Sequence, residues 1–152
     1  MKKICFIATG GGHLEEIRHI SNIVKSEESF LVTQDTKASR ALNEKKYLLL
    51  ENDKKNIVLF ALKFFWIGIQ SFKIFIKEKP DVIISTGAAM TVPMCYFGKI
   101  FKKKVIFIES FAKIKEPSKT GKLVYPIADL FVVQWEGLLK FYPKAVCWGW
   151  IY

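Results

Sequence analysis

Three segments carry residues whose types and spacing suit chemistry, and each follows an apolar run. Thr9-Gly10-Gly11-Gly12-His13 follows the run 4–8 and leads into a helix-like stretch. Glycines at a strand-to-helix turn let backbone N–H groups approach a ligand closely. The helix start behind them carries partial positive charge, so the pair suits a phosphate or diphosphate. His13 directly follows these glycines, and an imidazole there can donate to a phosphate or take part in proton transfer. The second segment, Ser85-Thr86-Gly87-Ala88-Ala89-Met90-Thr91, reads as another close-approach turn, through Thr86 and Gly87. Glu109 ends the run 105–109, where it can accept from a sugar hydroxyl or simply bind a neighbouring backbone N–H. His19, further along the first helix, reads as structural.

Two nucleotide fingerprints are absent. Counting G-x-G-x-x-G from Gly10, Gly12 fits, but Glu15 holds the third glycine position. Glu15 and Glu16 in the first turn would oppose a bound pyrophosphate, although Asp35 lies at a suitable distance for a ribose contact. No G-x-x-x-x-G-K-[ST] segment exists, which removes P-loop chemistry.

The elements that must position these residues follow from periodicity. Continuous apolar runs at 4–8, 30–33, 47–50, 82–85, 105–109 and 130–134 read as strands covered on both faces. Helical spacing fits 13–25, 36–44, 57–77, 90–101 and 136–141, and the polar stretch 113–122, broken by Pro117 and Gly121, reads as a loop. Strands alternating with helices imply an α/β, Rossmann-like parallel sheet flanked by helices. The two glycine turns and Glu109 would then share the carboxyl edge of the sheet, where such folds place ligands. A chain of 152 residues reads as a single domain over 1–152. Met1-Lys2-Lys3 runs straight into a strand, so no signal peptide is expected. Cys5, Cys95 and Cys147 are isolated, which points to a reducing compartment and no metal site, and no cofactor is expected.

Net charge of +10 favours anionic partners, and an apolar fraction of 51% with mean hydropathy +0.18 leaves apolar surface for a membrane or a partner. The stretch 57–77 has the length of a bilayer span, but Lys63 and Lys73 lie inside it. Lys63, Gln70, Lys73 and Lys77 share one helical stripe beside Trp66, and the rest of the circumference, including Phe64 and Phe65, is apolar. Two readings remain open: a helix buried between the sheet and a neighbour, or one that packs on the sheet and dips its flank into a membrane surface. Lys102 and Lys103, in a second basic cluster, would join such a surface. The tail carries Trp135, Phe141, Tyr142, Trp148, Trp150 and Tyr152. Trp148, Trp150, Ile151 and Tyr152 are candidates for a contact with a partner chain.

The ordered set Gly10-Gly11-Gly12-His13, Ser85-Thr86-Gly87-Ala88, Ile108-Glu109-Ser110, Val133-Gln134-Trp135 and Tyr142-Pro143-Lys144-Ala145…Gly149 resembles the acceptor-side half of split GT-B glycosyltransferases. That group includes the membrane-recruiting subunit of the eukaryotic two-subunit UDP-GlcNAc transferase and bacterial capsule and exopolysaccharide enhancer proteins. The same loops resemble the N-terminal domain of the peptidoglycan N-acetylglucosaminyltransferase. The resemblance implies a half-enzyme. A donor-binding glycosyltransferase subunit would hold the UDP-sugar, while this chain would hold a polyprenyl-diphosphate-linked saccharide on an anionic membrane surface. Gly10, Gly11, Gly12, His13, Thr86 and Gly87 would face the acceptor diphosphate, and His13 or Glu109 would assist deprotonation of the acceptor hydroxyl. Eukaryotic relatives carry an N-terminal membrane anchor, so peripheral attachment to the cytoplasmic face of the cell membrane is expected here. Ala88-Ala89 stands where fused relatives carry further glycines. Two rival readings are a stand-alone phosphosugar- or nucleotide-binding enzyme and a basic nucleic-acid-binding module. The latter has no recognisable reading motif, and no nucleic-acid partner is expected.

Overall fold

The computed structural model describes residues 2–24, 28–51 and 57–151. Its strands are β1 (Ile4–Ala8), β2 (Phe30–Gln34), β3 (Lys46–Leu49), β4 (Val82–Gly87), β5 (Lys104–Ile108), β6 (Leu130–Val133) and β7 (Val146–Cys147). Its helices are α1 (Gly12–Ile23), α2 (Lys37–Arg40), α3 (Ile57–Glu78), α4 (Val92–Ile100) and α5 (Lys119–Val124). All strand pairs are parallel, in the order β3-β2-β1-β4-β5-β6-β7. The order reverses at β1/β4, and the two glycine turns leave the sheet at that switch point.

Apolar runs become strands because both faces are covered. On one face α3, α4 and α5 bring Ile67, Phe75, Met94 and Val124 against Cys5, Ile7, Phe30, Ile83, Phe107 and Phe131. On the other, Leu14 and Ile17 of α1 pack on Phe6, Leu31, Ile84, Ile108 and Val132, and Ile151 of the tail joins them. Close approach of α4 needs Gly98, where a Cβ would stand 2.4 Å from Ile83 Cδ1.

The path of α3 decides what the functional edge looks like. Its C-terminal end is pinned at the amino edge of the sheet, where the buried Glu78 carboxylate takes Lys3 at 2.9 Å, Lys45 at 2.8 Å and the Tyr47 hydroxyl. Burial alone would raise this carboxyl, but hydrogen bonds from Lys45, Tyr47 and Lys3 outweigh it and hold the group at about 2. Further up, Gln70 Oε1 accepts from the backbone N–H of Leu50, just past β3, at 3.2 Å. Ile67 is the first residue of α3 to be buried. Residues 57–66 therefore run beyond the carboxyl edge, over about 15 Å at 1.5 Å per residue.

Several elements differ from the sequence expectation. The second helix is only Lys37–Arg40, closed by a capping box between Thr36 and Ser39. The expected helix over 90–101 starts as a 3-10 turn, Ala89–Thr91, before α4. The expected helix over 136–141 is a single 3-10 turn, Glu136–Leu138, and β7 adds a two-residue edge strand. Part of the expected loop 113–122 is helical: Ser118 accepts the Gly121 N–H at 2.7 Å and starts α5 just after Pro117. Lys25, the expected end of the first helix, and Tyr152 lie outside the described residues.

Candidate functional site

Five loops meet at the carboxyl edge, and their hydrogen bonds show which residues face outward. Gly11 adopts φ 72° and ψ −144° as the N-cap of α1, a conformation that suits glycine. Gly11 itself has no side chain with which to cap this end, and Gly11 and Gly12 are exposed. Gly10 N–H is anchored to Gln34 Oε1 at 3.3 Å.

The neighbouring turn is locked to this one. The register between β1 and β4 shifts after the Ile7–Ser85 pair, so that Ala8 pairs with Gly87 and Thr86 becomes the extra residue of a bulge. Thr86 is buried and its hydroxyl donates to the His13 carbonyl at 2.8 Å. Its contribution is to fix the turn, since its proton is already engaged. Gly87 follows at φ 110° and Ala88 at φ 71°, two successive left-handed residues. The His13 ring lies over Gly87, where a Cβ would meet His13 Cε1 at 3.5 Å. The structure thus brings Gly10, Gly11, Gly12, His13, Thr86 and Gly87 together, with the glycine loop and His13 outermost.

Glu109 occupies a different position in this network. It is buried, and its Oε1 accepts from Ser110 N–H at 3.0 Å. Oε2 accepts from Ser118 N–H at 3.1 Å and from the Tyr142 hydroxyl at 2.9 Å. Burial, and then the Glu109 charge, push the Tyr142 phenol well above its ordinary value, so the hydroxyl stays a donor. The structure therefore realises the backbone-binding alternative for Glu109: it clamps the loop after β5 to α5.

Glu16 is the residue that sequence reasoning misjudged. It is turned inward and buried rather than facing an anion. Its Oε1 accepts from Phe111 N–H at 3.0 Å and from Gln134 Nε2 at 3.2 Å. Its Oε2 stands 3.6 Å from His13 Nδ1. Spacing of i, i+3 on one helix face was the signal available in the sequence. Gln134 also donates to the Glu109 carbonyl at 3.1 Å and accepts from Ile151 N–H at 3.2 Å.

The other candidate groups separate. Phe65, Trp66 and Leu62 are exposed on the projecting part of α3, with Phe64 and Lys63 half-buried. Lys102 and Lys103 lie at the opposite, amino edge: Phe101 packs on Phe72 and Phe75, and Lys103 pairs with Asp81 at 3.0 Å. They are placed at the other end of α3 from Phe65 and Trp66. Lys73 is exposed part-way between them. In the tail, Trp150 is 66% exposed and meets Phe111 and Trp135 at ring distances of 5.7 and 5.6 Å. Trp148 is exposed, while Ile151 is half-buried in the α1-side core. Cys147, Gly149, Trp135 and Lys115 help line a shallow cleft of about 620 Å³ beside this cluster.

A parallel Rossmann-like sheet with a glycine-histidine loop at its switch point defines the class: one half of a GT-B-type glycosyltransferase fold. Solved structures agree in fold. Acinetobacter baumannii MurG superposes with TM-score 0.70 at 15% identity, over 88% of this chain and 41% of that chain. The Methanocaldococcus jannaschii UDP-GlcNAc 2-epimerase in complex with UDP-GlcNAc and UDP gives TM-score 0.71 at 15% identity, over 95% and 46%. Residues 4–151 match the family described as oligosaccharide biosynthesis protein Alg14 like, and the chain belongs to that family. It is 26% identical to the UDP-N-acetylglucosamine transferase subunit ALG14 of Homo sapiens, over 96% of this chain and 81% of that protein. For the Yarrowia lipolytica subunit the identity is 25%, over 87% of this chain and 59% of the relative. The chain thus spans less than half of either solved structure.

Proposed function

We propose that this chain is the acceptor-side, membrane-associated subunit of a two-component glycosyltransferase. A donor-binding partner subunit supplies the UDP-sugar, and the pair transfers a hexose or N-acetylhexosamine to a polyprenyl-diphosphate-linked acceptor. Family membership supports the two-component reading, since the relatives are named as transferase subunits. The observation that carries the acceptor-side assignment is the shared edge. The exposed glycine loop at the start of α1 suits a diphosphate, and residues 57–66 of α3 carry exposed apolar side chains that suit a lipid. An anionic headgroup held on a lipid needs both.

In this reading Gly11, Gly12 and the start of α1 receive the diphosphate, and Gly87 seats the His13 ring. His13 accepts the proton of the attacking hydroxyl as the bond from its oxygen to the anomeric carbon forms and UDP leaves. Glu109 is buried and holds Ser110, Ser118 and Tyr142, which keeps it from this step. Trp148 and Trp150 form part of the contact with the donor-binding subunit. The polymer served is a bacterial capsule or exopolysaccharide, and the chain works at the cytoplasmic face of the cell membrane. The test is transfer from a UDP-sugar to a polyprenyl-diphosphate-linked sugar by the purified chain, with and without the co-purifying subunit. Transfer only with both is expected; turnover by the chain alone overturns the split-enzyme reading.

A further inference from the structure

His13 Nδ1 and Glu16 Oε2 are both sealed from solvent, and neither has a hydrogen-bond partner. They face each other at 3.6 Å. Leaving two buried polar atoms unpaired side by side is costly, and a small rotation of the imidazole pairs them. The other carboxylate oxygen is fixed by Phe111 N–H and Gln134 Nε2, which prevents Glu16 from turning away. The His13 backbone is fixed through its carbonyl by Thr86, and Gly87 leaves the space the ring fills. The ring remains adjustable, and since Nδ1 is sealed in a side chain that is 27% exposed, Nε2 is its nitrogen free to meet a ligand.

We propose that Glu16 is the positioning residue for His13: it holds the proton on Nδ1 and leaves the lone pair of Nε2 directed at the acceptor site. This rests on the reading of His13 as the proton acceptor, but the ring state can be measured without substrate or partner. A neutral imidazole in this tautomer takes a proton at Nε2, and the adjacent carboxylate stabilises the imidazolium that results. The proton gained at Nε2 comes from the acceptor hydroxyl, and the Nδ1 proton stays in place. Gln134 links the same carboxylate to the backbone of Ile151, so the seating of the tail bears on the position of Glu16.

The decisive variant is Glu16→Gln. Two donors already converge on the Oε1 position, so the introduced amide must place its oxygen there and its NH2 toward His13 Nδ1. That reverses the hydrogen bond and moves the imidazole proton to Nε2. The measurement is long-range ¹⁵N–¹H NMR of the histidine rings, taken at a pH high enough that the ring signals no longer change with pH. The chain has two histidines, and His13→Gln assigns the signals. Wild type is expected to show the Nδ1–H form at His13 and Glu16→Gln the Nε2–H form. Transfer by the two-subunit enzyme should lose about 100-fold in kcat, with KM for the acceptor within about twofold. An Nε2–H form in wild type overturns the proposal even where the variant fails to fold. An unchanged tautomer in the variant, or a flipped tautomer with full kcat, overturns it as well. If no partner restores transfer, the NMR result still stands, and the transferase reading is what fails.

Discussion

At Gly121 the structure has no room for a methyl group: a Cβ there would lie 2.2 Å from Glu109 Oε2 and 2.5 Å from Tyr142 Oη. Gly121→Ala must therefore open the clamp that Glu109 makes with Ser118 and Tyr142, because both clashing atoms belong to buried side chains. A loss of about 3 kcal/mol is expected, which lowers Tm by roughly 6–12 °C in a domain of this size. Thermal unfolding checks it, and a melting curve matching wild type refutes the clamp. Such a role was only half visible in the sequence. The glycines before His13 were legible because glycine at a strand-to-helix turn has few other uses. Glu109 was legible as an edge carboxylate, but its partners come from residues 9 and 33 positions away, brought in by α5 and the turn before Tyr142. The burial of Glu16 was not legible in the sequence, because its partners Phe111 and Gln134 come from the loops after β5 and β6.

Among the elements, α3 combines two tasks that composition alone cannot separate. With 22 residues it is long and apolar enough to cross a bilayer. Yet Ile67, Ser71, Ile74, Phe75 and Glu78 are buried against the protein, which ties its C-terminal half to the sheet. The first ten residues hold no buried side chain, and Leu62 and Phe65 are 63% and 70% exposed. The C-terminal half thus packs on the sheet with one face, while the first half leaves its apolar side chains exposed. Lys102 and Lys103 lie at the amino edge, next to Phe101 and the C-terminal half of α3 rather than beside its projecting half. Leu62→Ser with Phe65→Ser should fold with a Tm near wild type, since neither side chain is in the core. Each buried apolar side chain is worth on the order of 1.5–3 kcal/mol, so flotation with anionic vesicles should show at least a tenfold weaker partition. Equal partition of the variant and wild type would remove the helix from the membrane contact. The short elements escaped the sequence for a simpler reason: α5 depends on one serine cap and one glycine contact, and β7 is two residues at an edge, too short for any periodicity.

At the scale of the whole molecule, the sheet order places every loop of consequence on one edge, and α3 extends that edge with an apolar projection. The +10 charge is spread over the chain and suits an anionic surface without specifying where it lies. Trp150, Trp135 and Phe111 form a tilted and edge-on cluster beside the same edge, so a partner docked on the tail would stand next to the glycine-histidine loop. Acceptor diphosphate, lipid and donor subunit would then approach from one side. The measurement that tests this arrangement most directly compares two acceptors in the reconstituted two-subunit enzyme: a long polyprenyl diphosphate sugar in anionic vesicles and a short-chain, water-soluble analogue. The Leu62→Ser, Phe65→Ser variant should raise KM about tenfold or more for the vesicle-borne acceptor and leave the soluble one unchanged. His13→Gln should lower kcat by about 100-fold on both. If the α3 variant affects both acceptors equally or neither, or if His13→Gln keeps full kcat, then the glycine-histidine loop and the projecting helix do not serve one lipid-linked substrate.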